Sequence, residues 1–446
     1  MSKLAILDGE KINNDKDFNV NPWPIIEEED INEVIKVLRE KDFFGVNNER
    51  IMKFEKEFAK SVGTKYGLAV NSGTAALHIA VAAAGVGPGD EVIIPALTFV
   101  ASASCVLHHN GIPIFVDIDQ STYNLDPKLI EEKITEKTKA IIAVHFQGLC
   151  ADMDEIIKIA RKYNIKVIED SSQAYGSEYK NKMAGGIGDM AGTSLMRYKN
   201  LAFCGEGGIF TTNDEDLRDK ADMVRMFGEV LRKGRKRQYN AYVMGWNYRA
   251  NVIQIAFGNS QLKRVKQYTK QRSENGKWLN EQLSKIGYVE PPYIPKGYLH
   301  TYHLYRIRVK PEEFGISNDE KGKFRLALMN ALNAEGIYAS EYQNYPVPGQ
   351  AVFQIKNGYG KGCPWTCKYS NAKNIKYDIY EYPKTLDVID TTFILDGACL
   401  PSQKNEYREM IVSAFDKIKN NKDEFVKYMN SLGEYIPPYK QAIRLY

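Results

Sequence analysis

Residues 166–176, Lys166-Val-Ile-Glu-Asp-Ser-Ser-Gln-Ala-Tyr-Gly176, read as a short apolar strand that runs straight into two acids and a polar turn. Val167 and Ile168 sit side by side with no polar alternation. That is the pattern of a strand covered on both faces, as in a parallel sheet. Working outward, the same texture recurs from about residue 60 to 215. Runs at 67–70, 91–95, 114–117, 140–146, 193–196 and 208–212 join 166–170 as candidate strands. Between them, 75–84 is an Ala-rich helix and 153–163 repeats apolar residues at helical spacing. Gly85, Gly87, Pro88 and Gly89 precede one strand, and Gly111 and Pro113 another. This alternation predicts an α/β domain with a mixed, mostly parallel, seven-stranded sheet flanked by helices.

The texture then changes. A basic, loop-like stretch at 230–240 carries Arg232, Lys233, Arg235, Lys236 and Arg237. A long polar helical pattern covers 251–283, and Pro291, Pro292 and Pro295 form a link. A strand is expected at 302–309 and a helix at 321–335, whereas 343–400 is rich in Tyr, Pro, Gly and Lys with little period. The expected division is therefore a large domain over 41–264 and a smaller α+β domain over 265–446. Residues 1–40, with Trp23 and the acids at 27–30, are expected to pack on the small domain.

Composition bounds the function. The 446 residues are 43% hydrophobic and 26% charged, enough to bury a core. Sixty basic against fifty-six acidic residues leave a net charge of only +4, so no overall field points to nucleic acid or membrane. No apolar run suits a spanning helix or a signal peptide, and a cytoplasmic protein is expected. The six cysteines are scattered. Only Cys363 and Cys367 are close, at a spacing that is neither a zinc nor a redox pair, and no metal is expected.

Local features that carry chemistry fall in order along the α/β region. Asn71-Ser72-Gly73-Thr74 follows a strand and opens a helix, which suits either an anion on free N–H groups or a plain N-cap. Asp170 ends a strand where α/β proteins bind ligands; it suits a cationic ring nitrogen or a solvated strand end. Lys199 follows an apolar strand, with Gly205-Glu206-Gly207-Gly208 behind it. It reads as a desolvated amine able to form a Schiff base, or as an ordinary surface lysine. Gly245-Trp246-Asn247-Tyr248-Arg249 is an aromatic and polar cluster, or simply a turn.

An anion cradle, a carboxylate for a ring nitrogen and a Schiff-base lysine, in that order, are the parts that hold pyridoxal phosphate. Together with Pro95-Ala-Leu-Thr98-Phe99-Val-Ala-Ser102, Val116-Asp117-Ile118-Asp119 and His145-Phe-Gln-Gly148-Leu-Cys-Ala-Asp152, they give the chain a resemblance. It resembles the DegT/DnrJ/EryC1/StrS sugar aminotransferases of fold type I over most of its length. The resemblance implies a pyridoxal 5'-phosphate enzyme in which Lys199 is the Schiff-base lysine and proton shuttle. It implies Asp170 on the pyridine nitrogen, Gln173 on the phenolic oxygen and Phe99 stacked on the ring. Gly73, Thr74 and Ser194 would hold the phosphate. Asn247 would reach the cofactor of the neighbouring subunit, which implies a homodimer with shared active sites. Ping-pong transfer from glutamate or glutamine to a keto-sugar is expected.

Some members of that family are dehydratases with histidine in place of the lysine; Lys199 favours amino transfer. A non-catalytic regulatory relative would be expected to lose Lys199 or Asp170. The acceptor is expected to be a nucleotide-linked keto-sugar, whose diphosphate the basic stretch at 232–237 would grip, unless that stretch is a solvated loop. The long segment at 346–400 resembles the inosose aminotransferases and keeps a cyclitol or a free or phosphorylated ketose as the alternative. Two further residues are expected at the substrate. Arg197 would bind a carboxylate or phosphate, or pair with a scaffold acid. His145 would line the cleft, or be a satisfied structural histidine.

Overall fold

The computed structural model describes residues 3–15, 18–45, 47–231, 236–370 and 372–441. Strands β1 (Tyr66–Val70), β2 (Glu91–Pro95), β3 (Ile112–Val116), β4 (Thr138–Val144), β5 (Lys166–Asp170), β6 (Met190–Ser194) and β7 (Gly208–Thr212) form one sheet. Their order is β1-β7-β6-β5-β4-β2-β3. Strand β7 is antiparallel to both its neighbours and all other pairs are parallel, so the other six strands point the same way. Such pairs need crossover connections, and helices Gly73–Ala83, Ala101–His108 and Met153–Lys162 supply them. Strand β6 begins before the expected residue 193. Its first residues include Gly192, where a Cβ would stand 2.8 Å from the Leu77 side chain, so a close helix approach hides the strand from an apolar pattern.

A second, antiparallel sheet runs in the order Val289–Glu290, Tyr305–Val309, Thr392–Leu395, Ala339–Ser340. Helices Lys321–Ala334, Asn405–Asn420 and Lys422–Ser431 bury Phe324, Leu328, Phe415 and Phe425 with it in one core. The strand expected from 302 starts at Tyr305, because Tyr302 takes a left-handed backbone with φ of 45°, which a strand does not accommodate.

The expected boundary at 264/265 falls inside the unbroken helix Val252–Leu283. Its first turns bury Val252 and Ile255 with Phe54 and Phe203, and its last turns bury Leu279 and Leu283 with Tyr288 and Tyr305. The N-terminal segment also divides. Leu4 enters the smaller core, and Ala5 and Ile12 N–H donate to the Glu335 carboxylate at 2.9 and 3.2 Å. Helix Glu28–Glu40 lies on Val252–Leu283 instead, where Arg264 Nη2 grips both oxygens of buried Asp30 at 2.7 Å.

Residues 347–389 leave the small domain and return to the large sheet. Phe353, Trp365, Tyr377 and Tyr382 share a core with Leu77, Val106 and Phe115. The Tyr377 hydroxyl donates to the Pro113 carbonyl on edge strand β3 at 3.1 Å, and Asp117 accepts from Lys384 N–H and Thr385 N–H, both at 2.9 Å. The segment is a strap laid over the edge of the sheet. Cys363 and Cys367 within it are free thiols. Among the described residues no helix is long and apolar enough to cross a membrane, and no cluster of metal-ligating side chains occurs.

Candidate active site

Apart from Asn247, the residues expected to hold the cofactor all come off the C-terminal ends of the six co-directional strands, the edge where open α/β sheets bind ligands. After β1, Ser72 caps the helix Gly73–Ala83 by accepting from Ala75 N–H at 3.1 Å. The N–H groups of Gly73 and Thr74 have no partner among the described residues, which leaves them for an anion at the positive end of the helix. A Cβ at Gly73 would stand 2.5 Å from the Ser194 Cβ. Only glycine lets the helix start close against Ser194, whose N–H is fixed by Ser172 Oγ at 3.1 Å. Gly73, Thr74 and Ser194 thus form one cradle of a shape that fits a phosphate.

The ring end is equally defined. Asp170 is buried; its Oδ2 accepts from Ser102 Oγ at 2.7 Å and its Oδ1 from Ser172 N–H at 3.1 Å. Gln173 Oε1 accepts from Gln147 N–H at 3.0 Å, which turns the amide so that its NH2 remains as a donor. Such a donor suits a phenolic oxygen, and a fixed carboxylate suits a protonated ring nitrogen. Phe99, four residues beyond β2, is 55% exposed and free to be covered by a flat ring.

Lys199 sits in the turn after β6. Its N–H donates to Met196 O at 2.8 Å, and its carbonyl accepts the Trp23 indole N–H at 3.0 Å. Burial lowers the pKa of its amine below the ordinary lysine value, opposed by the carboxylates of Asp170 and Glu206. A neutral, nucleophilic amine is therefore easier to reach than on a surface lysine. Lys199 opens onto a cleft of about 350 Å³ between the two domains, with Met196, Tyr198, Arg272, His303 and Tyr342 on its walls.

Other sequence expectations fare differently. His145 is wholly buried. Its Nδ1 accepts from Ala151 N–H at 3.1 Å and its Nε2 faces Glu169 Oε2 at 2.8 Å, so neither ring nitrogen is left for a substrate. It is the satisfied structural histidine and not a substrate ligand, because its strand end turns the ring into the protein. Arg197 is exposed, its guanidinium 4.5 Å over the Tyr198 ring, with no ion pair among the described residues. Asn247 is exposed, its Oδ1 accepting from Arg249 Nε at 2.9 Å and its carbonyl from Asn71 Nδ2 at 3.4 Å. Arg237 is held by Glu229 through two bonds of 2.7 Å, whereas Arg232, Lys233 and Arg235 lie outside the described residues.

Ser102, Trp23, Arg272 and His303 belong to the site without having been assigned a part in it. Ser102 lies in a block that carries the resemblance. The other three come from distant segments, and only tertiary packing brings them to Lys199.

The family model for the DegT/DnrJ/EryC1/StrS aminotransferase family matches residues 24–380. The GDP-perosamine synthase of Caulobacter vibrioides is 41% identical over 260 residues, 58% of this chain and 69% of that one. The UDP-2-acetamido-2-deoxy-3-oxo-D-glucuronate aminotransferase of Pseudomonas aeruginosa is 36% identical over 307 residues, 68% of this chain and 84% of its own. An aminotransferase structure from Psychrobacter cryohalolentis is similar with a TM-score of 0.78 at 27% identity, covering 90% of this chain and 99% of that one. With the lysine, the carboxylate and the cradle at one sheet edge, the chain belongs to the DegT/DnrJ/EryC1/StrS aminotransferase family.

Proposed function

We propose that this aminotransferase carries an amino group from glutamate or glutamine to a ketone of a nucleotide-linked sugar, using pyridoxal 5'-phosphate. The observation that carries the reading is the juxtaposition of a desolvated Lys199 with buried Asp170 at the end of the sheet. The cofactor, bound in the cradle, supplies an electron sink for the pair released at the donor's α-carbon. Gly73, Thr74 and Ser194 hold its phosphate; Asp170 keeps its ring nitrogen protonated; Gln173 donates to its phenolic oxygen; Phe99 covers one face. Lys199 Nζ, whose pKa burial lowers, would take the proton from the donor's α-carbon and deliver it to the cofactor's C4′ carbon, and would run the reverse shift with the keto-sugar.

The acceptor class follows the relatives, whose names place their chemistry on GDP- and UDP-linked sugars. A cyclitol or free ketose rested on the long segment at 346–400, and residues 347–389 of it are occupied in sealing the sheet. A homodimer is supported by the exposure of Asn247 beside Phe44, Tyr242 and Met244, apolar side chains at 71, 57 and 68% exposure.

The test is a half-reaction read by absorbance. Protein loaded with pyridoxal phosphate is mixed with glutamate or glutamine, and conversion of its visible band is followed, with Lys199→Ala as control. Conversion with one donor establishes transamination and names the donor. Nucleoside-diphosphate keto-sugars and inososes are then compared for restoring the band. No conversion by a protein that holds the cofactor sinks the reading.

A further inference from the structure

The wall of the cleft beside Lys199 holds a cation with no counter-ion. Arg272, on helix Val252–Leu283, is 1% exposed. Its guanidinium makes no hydrogen bond to any described residue, and its Nε and Nη2 are sealed from solvent and unpartnered. No carboxylate among the described residues holds its charge. Burial pulls its pKa down to about 10, and only Cys399 opposes that. Among the acids that line the same cleft, Glu341 is taken by Arg325 and by Asn344, each at 2.7 Å, and Asp396 by the Ser340 hydroxyl.

Trp23 ties this arginine to the reacting end. The guanidinium lies 4.6 Å from the centroid of the indole, and the same indole donates its N–H to the Lys199 carbonyl at 3.0 Å. Arg272 is thus one indole ring from the backbone of Lys199. His303, also on the cleft, has a buried Nδ1 without a partner, and burial together with Lys199 and Arg272 drives its pKa far down. The site is electropositive and unsatisfied. Desolvating a guanidinium costs more than a single cation–π contact returns, so the balance calls for an anion.

We propose that Arg272 is the carboxylate anchor of the amino-donor subsite, binding the α-carboxylate of the incoming amino acid and of the 2-oxo acid it becomes. The proposal rests on the transamination reading above. The donor's α-carbon must reach Lys199 Nζ, and its carboxylate is one bond further on, at the distance that a neighbouring wall serves. A guanidinium gives a carboxylate a charge-assisted bond, open here at Nη1, the nitrogen that is not sealed, and gives a neutral sugar hydroxyl a weaker one. Arg272 therefore separates donor from acceptor: the first half-reaction depends on it and the second does not.

The test compares wild type, Arg272→Gln and Arg272→Lys, each as the cofactor-loaded protein. In Arg272→Gln, the KM for the donor rises about 100-fold while the KM for the keto-sugar stays within about twofold, the loss of a buried charge-assisted pair on one substrate only. Independently of turnover, calorimetry reads the binding of unreactive glutarate. The wild type binds it, and Arg272→Gln binds it at least about 30-fold more weakly. Equal glutarate affinity in the two proteins, or equal loss for donor and acceptor, overturns the proposal and leaves Arg272 a structural partner of Trp23. If the glutamine variant fails to fold, Arg272→Lys decides, since it keeps a cation against Trp23. A donor KM raised about tenfold supports the anchor, and an unchanged one overturns it. If the wild type converts no donor, the transamination reading fails, and glutarate calorimetry still reports on Arg272.

Discussion

Glu169→Gln is the substitution whose cost the structure sets most directly. The carboxylate is fully buried and surrounded by four donors. Oε2 accepts from His145 Nε2 and Gly185 N–H, both at 2.8 Å; Oε1 accepts from Ile187 N–H at 2.6 Å and Gly188 N–H at 2.7 Å. His145 cannot reverse roles, because its Nδ1 already accepts from Ala151 N–H. A glutamine can satisfy two of these donors with its carbonyl, and it then points an NH2 at the other two. Each bond to a buried charged acceptor is worth about 1.5–3 kcal/mol, and two are lost, so the destabilisation is about 4 kcal/mol or more. With an unfolding entropy of about 2.1 cal/mol/K per residue, a chain of 446 residues loses about 1 °C of Tm per 0.9 kcal/mol. A fall of about 4 °C in scanning calorimetry is expected. Asp170 is the next residue, so cofactor retention on a desalting column should fall with it. A variant that melts within about 1 °C of wild type and retains its cofactor would refute the idea that this network fixes the strand end.

Gly73→Ala forces the Ser194 contact apart and intrudes on the cradle; cofactor affinity should drop at least tenfold by absorbance titration, at a stability cost of about 1–3 kcal/mol. Undiminished affinity would remove Gly73 from the phosphate site. His300 is buried, with a pKa near 3 against its ordinary 6.5. The unfolded chain therefore binds the extra proton between those values, and stability falls as pH drops from 6.5 towards 3, by about 1.4 kcal/mol per pH unit. His300→Asn keeps an acceptor for Tyr302 N–H and removes the titration, so the acid limb of a Tm-against-pH plot should flatten by about 1.5 °C per unit; an identical slope counts against it. Trp365→Ala empties the centre of the strap, where the indole N–H donates to Tyr377 Oη at 3.0 Å. A local loss of about 3–5 kcal/mol should show as proteolytic cleavage within 347–389. Resistance equal to wild type would mean that the strap is held elsewhere.

The sheet was legible wherever strands are apolar and continuous: the runs at 91–95, 166–170 and 208–212 fall on strands with the same bounds. It blurred at β6, because Gly192 serves a close helix contact and carries no side chain to signal burial. The residues expected to hold the cofactor, Asn247 apart, lie within a few positions of a strand end, where local sequence and local geometry coincide. Arg272 and His303 were not legible. Nothing in their neighbourhoods distinguishes them from other polar residues of a helix and a loop, and only tertiary packing brings them to the Lys199 cleft, with Arg272 stacked on Trp23 from a segment far away in the chain. The strap was opaque for a similar reason: its aromatics have no period, since they fill gaps over another element's surface and do not line a face of their own.

The strap has a consequence for synthesis. The surface it covers is made early, with β3 complete at residue 116, whereas the covering side chains extend to Ile389. A ribosome adding about 5–20 residues per second needs roughly 15–50 s to span that gap. During that time Phe115 and its neighbours on the emerging sheet edge have no native cover, and the large domain cannot close before the small one has been largely translated. The order in which the gene is read thus makes the last-made third of the chain the guardian of the first.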